Sequence, residues 1–81
     1  MNRPDEGAEV QRYSMVIEWS DADEAYIVTV PELPGCMTHG ATHAEAVQQG
    51  EAAIATWLAT ARAYGDPIPP PRVFAAARPT A

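Results

Sequence analysis

Two short stretches of the chain alternate between apolar and polar positions. In residues 13–19 the larger apolar side chains stand at every second position: Tyr13, Met15, Ile17 and Trp19. Residues 25–30 are rich in β-branched and aromatic side chains. Because side chains of a strand alternate between its two faces, both patterns predict β-strands. Residues 20–24 are small and acidic and favour a turn, so the two strands are expected to form an antiparallel hairpin.

Prolines and glycines divide the next segment. Pro31 cannot donate a backbone hydrogen bond to a strand ladder, so the second strand is expected to end there. Residues 31–35 contain two prolines and a glycine, a composition that predicts a turn. Residues 36–39 then predict a short third strand, which Gly40 closes.

A long amphipathic helix is predicted to follow. Thr42 and Glu45 form a capping box, in which the Thr42 hydroxyl accepts from the Glu45 N–H and the Glu45 carboxylate accepts from the Thr42 N–H. Apolar or small residues then recur at steps of three and four: Ala46, Val47, Gly50, Ala53, Ile54, Trp57, Leu58 and Ala61. Gly65 suits the left-handed position that ends a helix after Tyr64. Gly50 lies within the apolar stripe and predicts a close approach of the helix to the sheet.

The two ends of the chain lack such periodicity. Residues 1–11 are expected to be a flexible N-terminal tail, residues 12–75 a single domain and residues 76–81 a flexible C-terminal tail. Prolines at 67 and 69–71 predict an extended, rigid connector, an interpretation we favour over a polyproline ligand, leading to a fourth strand over residues 72–75. The expected fold class is α+β: a small antiparallel sheet of three to four strands packed by one main helix, in the order β-β-β-α-β.

The amino-acid composition argues against several classes of function. The 81 residues include 11 acidic and 5 basic side chains, for a net charge of −6. A nucleic-acid binder needs clustered basic residues, so direct nucleic-acid binding is not expected. No apolar run has membrane-spanning length and the first residues lack a signal peptide, so a cytoplasmic location is expected. A chain this short buries a small core, and self-association is therefore expected.

Residues of the types that bind metal ions or catalyse reactions are present, but their spacing is not diagnostic of a metal site or an active site. Cys36, His39 and His43 have the spacing C-x2-H-x3-H, but a structural zinc site needs four ligands. Two carboxylates could hold a catalytic metal ion. The candidates are Glu18, Asp23 and Glu32, but their spacing in the sequence identifies no such pair. We therefore expect no catalytic residue, no cofactor and no metal site. Both Trp57 and Trp19 are expected to lie in the core.

Four short motifs follow one another in order: PELPGC at 31–36, THGAT at 38–42, EA at 45–46 and GDPIPPP at 65–71. In this order, from residue 13 to residue 72, they resemble the short form of the HicB-like antitoxin family. Ala25, Glu32 and Ala41 stand where that family commonly has glycine, aspartate and aspartate. The matching residues mainly set turns and helix ends: Pro31, Leu33, Pro34, Gly35, Cys36, Gly40, Thr42, Glu45, Ala46, Gly65, Pro69 and Pro71.

The resemblance implies a small sheet with a helix packed on it, similar to a degenerate RNase H fold. Proteins of this family bind HicA, a small basic toxin that cleaves mRNA, and block its active site. The resemblance also implies a homodimer or homotetramer. Many members add a DNA-binding domain after the helix, whereas only residues 73–81 follow the match here, so promoter binding is not expected.

The leading hypothesis is therefore a non-enzymatic, HicB-like antitoxin that acts on a HicA-like toxin by protein–protein binding. An acidic surface would steer a basic partner and raise the association rate. The candidate contact residues are the acids of the predicted turns: Asp21, Asp23, Glu24 and Glu32. Two alternatives stay open at this point. One is a stand-alone oligomeric protein with another regulatory role, and the other is a relict RNase H-like nuclease.

Overall fold

The computed structural model describes residues 4–74 of the chain. Its elements are, in order, α1 (Pro4–Val10), β1 (Val16–Ser20), β2 (Ala25–Thr29), β3 (Met37–Gly40) and α2 (His43–Tyr64). The strands form one antiparallel sheet in the order β1-β2-β3, so β2 is central. This is the predicted α+β class. Neither helix has the combination of length and apolarity needed to cross a membrane, within the residues described.

The predicted hairpin is confirmed. β1 and β2 pair in a register that runs from Val16 opposite Thr29 to Ser20 opposite Ala25, and residues 21–24 form the turn. β1 begins three residues later than the alternation suggests. Tyr13 precedes the strand, is only 5% exposed and belongs to the hydrophobic core. The Tyr13 side chain therefore lies on the buried face, as the alternation predicts, although its backbone does not pair with β2.

The start of α2 is set by the predicted cap, with one change. The Thr42 hydroxyl accepts from the Glu45 N–H at 3.1 Å, as expected. The Glu45 carboxylate, however, accepts from the N–H of Ala41 at 3.0 Å and not from that of Thr42. The first bond satisfies a donor that the first turn of a helix leaves unpaired, and the second ties the residue before the cap to the helix. The helix therefore begins where the sequence indicates, immediately beyond the end of β3.

The end of α2 is set by a left-handed glycine. Gly65 has φ 68° and ψ 24°, a conformation that costs glycine little because it has no Cβ. The N–H of Gly65 donates to the carbonyl of Arg62 at 3.3 Å, and the N–H of Asp66 donates to that of Ala61 at 2.8 Å. These two bonds are the Schellman pattern. They turn the chain back toward the sheet immediately after Tyr64.

The core lies between α2 and one face of the sheet. Its buried members come from the segment before β1, from the residue after β2, from the loop before β3 and from α2: Tyr13, Val30, Leu33, Cys36, Ile54 and Leu58. Gly50 is buried, and a Cβ at this position would meet the side chains of Met15 and Val28. The predicted close approach of the helix to the sheet is therefore confirmed.

The N-terminal segment differs from the expected tail. Residues 4–10 form α1, a helix that the sequence pattern did not indicate. Two contacts with the rest of the domain accompany it: Val10 packs against the core, and the Glu9 carboxylate pairs with the Arg62 guanidinium at 2.6 Å. Both contacts come from tertiary structure. A local pattern in residues 1–11 does not reveal them.

The fourth strand predicted over residues 72–75 is absent from the described part of the segment. Residues 72–74 have no regular structure, and Ala75 lies outside the described residues with the rest of the expected C-terminal tail. The Arg72 N–H donates to the Glu32 carboxylate at 2.8 Å instead of to a strand ladder. Val73 and Phe74 are 86% and 90% exposed. The observed order is therefore β-β-β-α, and the likeness to an RNase H fold stays a prediction.

Replacing Gly40 with alanine is expected to destabilise the protein more than Gly50→Ala. A Cβ on Gly40 would lie 2.5 Å from the backbone nitrogen of Ala46, so the first turn of α2 would have to leave the sheet. The Cβ of Gly50→Ala meets the side chains of Met15 and Val28, which can shift. The better helix propensity of alanine also offsets about 1 kcal/mol of the packing cost. We expect Gly40→Ala to cost about 3 kcal/mol, and Gly50→Ala to lower the Tm by a smaller amount.

Thermal unfolding followed by circular dichroism measures both effects. Gly7→Ala is the matched control, because a Cβ on Gly7 in α1 meets nothing within 4 Å. Its Tm should equal or slightly exceed that of the wild type. A higher Tm for Gly50→Ala than for the wild type would contradict the close packing of α2 on the sheet.

Candidate partner-binding surface

The turn between β1 and β2 presents three acidic side chains to solvent. Asp21, Asp23 and Glu24 are all exposed. The Asp23 carboxylate accepts from the Ser20 hydroxyl at 2.9 Å, and the Asp21 carboxylate accepts from the indole N–H of Trp19 at 2.8 Å. The structure therefore brings together three of the four acids that the sequence proposes for partner contact. Two of them are held in position by their neighbours.

Glu24 has an unusual backbone conformation. Its φ is 48°, in the left-handed region that glycine and asparagine adopt more readily than other residues. For a glutamate this conformation costs about 1 kcal/mol. The turn thus carries glutamate at a position where glycine or asparagine would be more stable.

A row of rings continues from this turn across the sheet to α2. The rings of Trp19 and Tyr26 meet edge to face, with centroids 5.1 Å apart, and those of Tyr26 and His43 lie 4.1 Å apart. The expectation that Trp19 lies in the core is wrong: this side chain is 52% exposed. It stands on an edge strand, which α2 does not cover. Trp57, by contrast, packs against the core and donates its indole N–H to the Pro34 carbonyl at 3.0 Å.

We name the acidic turn together with these rings the acidic aromatic surface (Trp19, Asp21, Asp23, Glu24, Tyr26 and His43). Carboxylates form charge-assisted hydrogen bonds with arginine and lysine, and aromatic faces attract the same cations. Tryptophan and tyrosine are also enriched among the residues that contribute most to protein–protein binding. The surface is therefore suited to a basic protein partner. Sequence reasoning missed its aromatic part, because alternation alone does not tell an edge strand from a central one.

Glu32, the fourth proposed contact residue, lies apart from this surface. Its side chain is 9% exposed and bonds to the protein itself. The carboxylate accepts from the Ser14 N–H at 3.0 Å, from the Ser14 hydroxyl at 3.0 Å and from the Arg72 N–H at 2.8 Å. Glu32 thus joins the segment before β1 to the segment after α2. It contributes to the fold and offers little to a partner.

These bonds determine the acidity of Glu32. Burial by itself raises the pKa of the carboxyl group, because desolvation disfavours the charged form. The hydrogen bonds from the backbone of Arg72, from the backbone of Glu32 itself and from Ser14 favour the charged form and outweigh burial. The net result is a pKa below the ordinary value. The carboxylate is therefore charged in the folded protein at neutral pH.

The proposed zinc ligands do not converge. Cys36 is buried in the core, and burial raises the pKa of its thiol. His39, three residues further along the strand, points to the opposite face of the sheet and is exposed. His43 stacks on Tyr26. Within residues 4–74, no three side chains of histidine, cysteine, aspartate or glutamate form a group that could hold a metal ion.

The candidate nuclease carboxylates are also separated. Glu18 is exposed on β1, Asp23 lies in the turn that follows, and Glu32 is buried in the loop before β3. A two-carboxylate metal site needs oxygens that face the same ion. Among the described residues, no group of three or more histidine, cysteine, aspartate or glutamate side chains could hold a metal ion. Glu18, Asp23 and Glu32 therefore lie in three different settings in the described structure.

The turn and cap residues that carry the sequence resemblance have structural roles. Leu33 is 1% exposed in the core, and Gly35 takes a left-handed φ of 75° before β3. The Pro69 carbonyl accepts from the Tyr13 hydroxyl at 2.6 Å, which holds the proline connector against the domain. These positions specify how the chain folds, and the acidic aromatic surface lies elsewhere.

The described residues thus form an α+β domain with an exposed surface of carboxylates and aromatic rings. Comparison with known proteins assigns its family: residues 13–79 match the model described as the HicB_like antitoxin of bacterial toxin–antitoxin systems. A related chain, UPF0150 protein Ta0767 of Thermoplasma acidophilum, is 36% identical over 58 residues, covering 72% of this chain and 83% of that one. No solved structure matches. The protein belongs to the HicB-like antitoxin family, which supports an antitoxin role.

The Glu32 bonds predict a pH dependence of stability. Because the folded pKa is lower than the unfolded one, the stabilisation is fully present above the unfolded value, about 4.3, and is lost as pH falls through the folded value. We expect Glu32→Gln to cost about 2 kcal/mol at pH 7, where three donors lose their charged acceptor. The difference in Tm between the wild type and Glu32→Gln should shrink as pH falls below 4.

Calorimetry from pH 3 to pH 7 measures this difference. Glu18→Gln serves as the control, since Glu18 is exposed on β1 and has the same change of charge. Its Tm should stay close to that of the wild type at every pH. A pH-independent gap between the wild type and Glu32→Gln would contradict the role of the buried charge.

Proposed function

We propose that this protein is an antitoxin that binds and neutralises a small basic HicA-type toxin, an enzyme that cleaves mRNA. Family membership supports the antitoxin role. The acidic aromatic surface supports a basic protein as the direct partner, and it is the observation on which the proposal rests. The protein acts by binding and not by catalysis, in the cytoplasm, where the toxin meets its mRNA.

Charge contributes to the proposed interaction in two ways. The chain carries a net charge of −6, and three acids project together from one rigid turn. A negative patch attracts a basic partner over a distance of about 8–10 Å at physiological salt, which raises the association rate. A toxin that binds RNA needs its basic surface for the phosphates. An antitoxin that covers this surface with carboxylates competes directly with the RNA.

The exposed tryptophan contributes affinity at short range. Trp19 is half exposed and is held by Asp21 and by the ring of Tyr26, so it loses little conformational freedom when it enters an interface. A large side chain that is already ordered is typical of the residues that contribute most to binding. The carboxylates therefore provide attraction and orientation, while the ring provides buried apolar area.

The first test is binding and rescue with a small basic protein encoded beside this one. Co-expression should restore growth that the toxin alone prevents, and the purified proteins should form a complex by isothermal titration calorimetry. A neighbouring small basic protein that neither binds this chain nor is neutralised by it would refute the proposal.

Neutralising the turn is expected to weaken the complex. Asp21→Asn with Asp23→Asn should raise the Kd by about 10- to 100-fold, mainly through slower association, and the effect should diminish at high salt. Glu51→Gln with Asp66→Asn is the matched control, because it changes the net charge equally, from −6 to −4, at residues outside the turn. Equal weakening by both double variants would show that only overall charge matters and would contradict a specific surface.

Glu24→Asn is expected to move stability and binding in opposite directions. Asparagine adopts the left-handed conformation more readily than glutamate, so the Tm should rise by a few degrees. Loss of the charge should raise the Kd for the toxin several-fold. Circular dichroism and calorimetry on the same sample give both values. A more stable variant with unchanged Kd would exclude Glu24 from the contact.

A further inference from the structure

The outer edge of β1 has backbone groups that the described sheet does not use. In the described part of the chain, β1 pairs only with β2. The Val30 N–H donates to a carbonyl of the segment leading into β3, at 3.0 Å, so every second residue of β2 counted back from Val30 directs its backbone groups to β3. Ile27 is one of the residues between them and therefore faces β1, where it lies opposite Glu18. Ile17 and Trp19, on either side of Glu18, consequently direct their N–H and C=O groups to the outer edge.

The side chains around this edge carry charge of a single sign. Residues 13–61 contain seven aspartates and glutamates and neither lysine nor arginine. Four of the seven lie on β1 and in the turn after it, and Glu18 is exposed midway along the strand. A charged residue in the middle of an edge strand discourages pairing with a like strand, because the two equal charges would stand side by side. The same charge favours a strand that brings a cation to that position.

Neighbouring side chains of β1 lie on opposite faces of the sheet. Ile17 lies opposite Val28, and Val28 is buried beneath Gly50 of α2. Ile17 and Trp19 therefore share the face on which α2 packs, where Ile17 is partly buried and Trp19 is 52% exposed. Glu18 points to the other face and is exposed. A strand beside β1 thus meets apolar side chains at two positions and a carboxylate at the position between them.

We propose that the outer edge of β1 accepts an extended strand from a basic protein partner, and that apolar and basic residues alternate along this strand. The N–H and C=O groups of Ile17 and Trp19 form backbone hydrogen bonds with it. The side chain opposite Glu18 is arginine or lysine, which pairs with the carboxylate on the face of the sheet away from α2. Its two neighbours in the strand are apolar and pack beside Ile17 and Trp19. A second cation, opposite Ser20, reaches the carboxylate of Asp23, which the Ser20 hydroxyl holds at 2.9 Å.

This arrangement deepens the proposed function and rests on it only for the identity of the strand's donor, which is then the toxin. Main-chain hydrogen bonds provide affinity in strand addition, and the side chains beside them provide specificity. The acidic turn alone would attract any basic surface, whereas alternation along an edge selects a basic segment that can be extended. Glu18 thereby excludes a second copy of this chain at this edge and selects the partner with one charge. Trp19, a member of the acidic aromatic surface, joins the two contacts.

The first test uses a synthetic peptide of about eight residues in which valine and arginine alternate, with a valine–glutamate peptide of the same length as its control. Hydrogen exchange measured by NMR reports each backbone amide separately. In the free protein the amides of Ile17 and Trp19 should exchange rapidly. With saturating valine–arginine peptide, both should slow about ten-fold or more, and the valine–glutamate peptide should leave them unchanged. The Glu18 amide, which faces β2, should exchange slowly in every sample.

Three results would overturn the proposal: a valine–arginine peptide that does not bind, one that binds without slowing both outward amides, or equal effects of the two peptides. Slow exchange of Ile17 and Trp19 in the free protein would also overturn it, because the edge would then be occupied by the protein itself. These amides are read without any substitution, so loss of fold in a variant cannot imitate the result.

The second test reverses the charge at the centre of the edge. Glu18→Lys should weaken binding of the valine–arginine peptide about ten-fold and give measurable binding of the valine–glutamate peptide, by isothermal titration calorimetry. Asp66→Lys is the matched control, because it also changes the net charge from −6 to −4, at an exposed residue beyond α2. Its affinities should stay within about two-fold of those of the wild type. Equal weakening by both variants would refute a charge pair at Glu18.

The same exchange measurement on the protein in complex with a small basic protein encoded beside it separates this inference from the proposed function. Slowed amides of Ile17 and Trp19 in that complex would support strand addition. A complex that forms and restores growth while both amides exchange as in the free protein would overturn strand addition and leave the antitoxin role standing. A basic neighbour that does not bind would refute the proposed function, and the peptide experiment would still decide what the β1 edge accepts.

Discussion

One buried carboxylate holds the two ends of the domain together. Glu32 accepts hydrogen bonds from Ser14, before β1, and from the backbone of Arg72, after α2. A charge without such donors would be expensive to bury, and a neutral side chain would leave the donors unpaired. These bonds hold the proline connector near Tyr13, which donates to Pro69. The closing of the core at that end of α2 therefore depends on a buried charge that hydrogen-bond donors hold.

The small sheet has two edges of different chemistry. On the β1 side lie exposed acids and an exposed tryptophan. On the β3 side, residues 33–44 carry no aspartate, glutamate, lysine or arginine, and among the described residues the strand pairs only with β2. The helix α2 packs against β3 and β2 and leaves Trp19 on β1 half exposed.

Local features were predictable from the sequence, and they make up most of the fold. The hairpin follows from alternation and a polar turn, and α2 follows from its stripe, its Thr42 cap and Gly65. Three acids of the candidate surface were also predictable, since they share one turn. The exposure of Trp19 was not predictable, because alternation indicates which face of the sheet a side chain lies on but not how much of that face α2 covers. α1 was missed as well, since it contacts the domain through Val10 and through the Glu9 pair with Arg62.

The sequence by itself determined the class of fold, the limits of the main helix and, through its ordered motifs, the family. Those features depend on residues a few positions apart, whose periodicity and caps act locally. Only the tertiary structure decided that Glu32 is buried, that Trp19 is exposed and that β1 and β3 flank β2 in the described sheet. The Glu32 bonds join residues 18 and 40 positions apart, and the order of strands sets which edges stay open. Such contacts exist only after the chain has folded, so no local pattern encodes them.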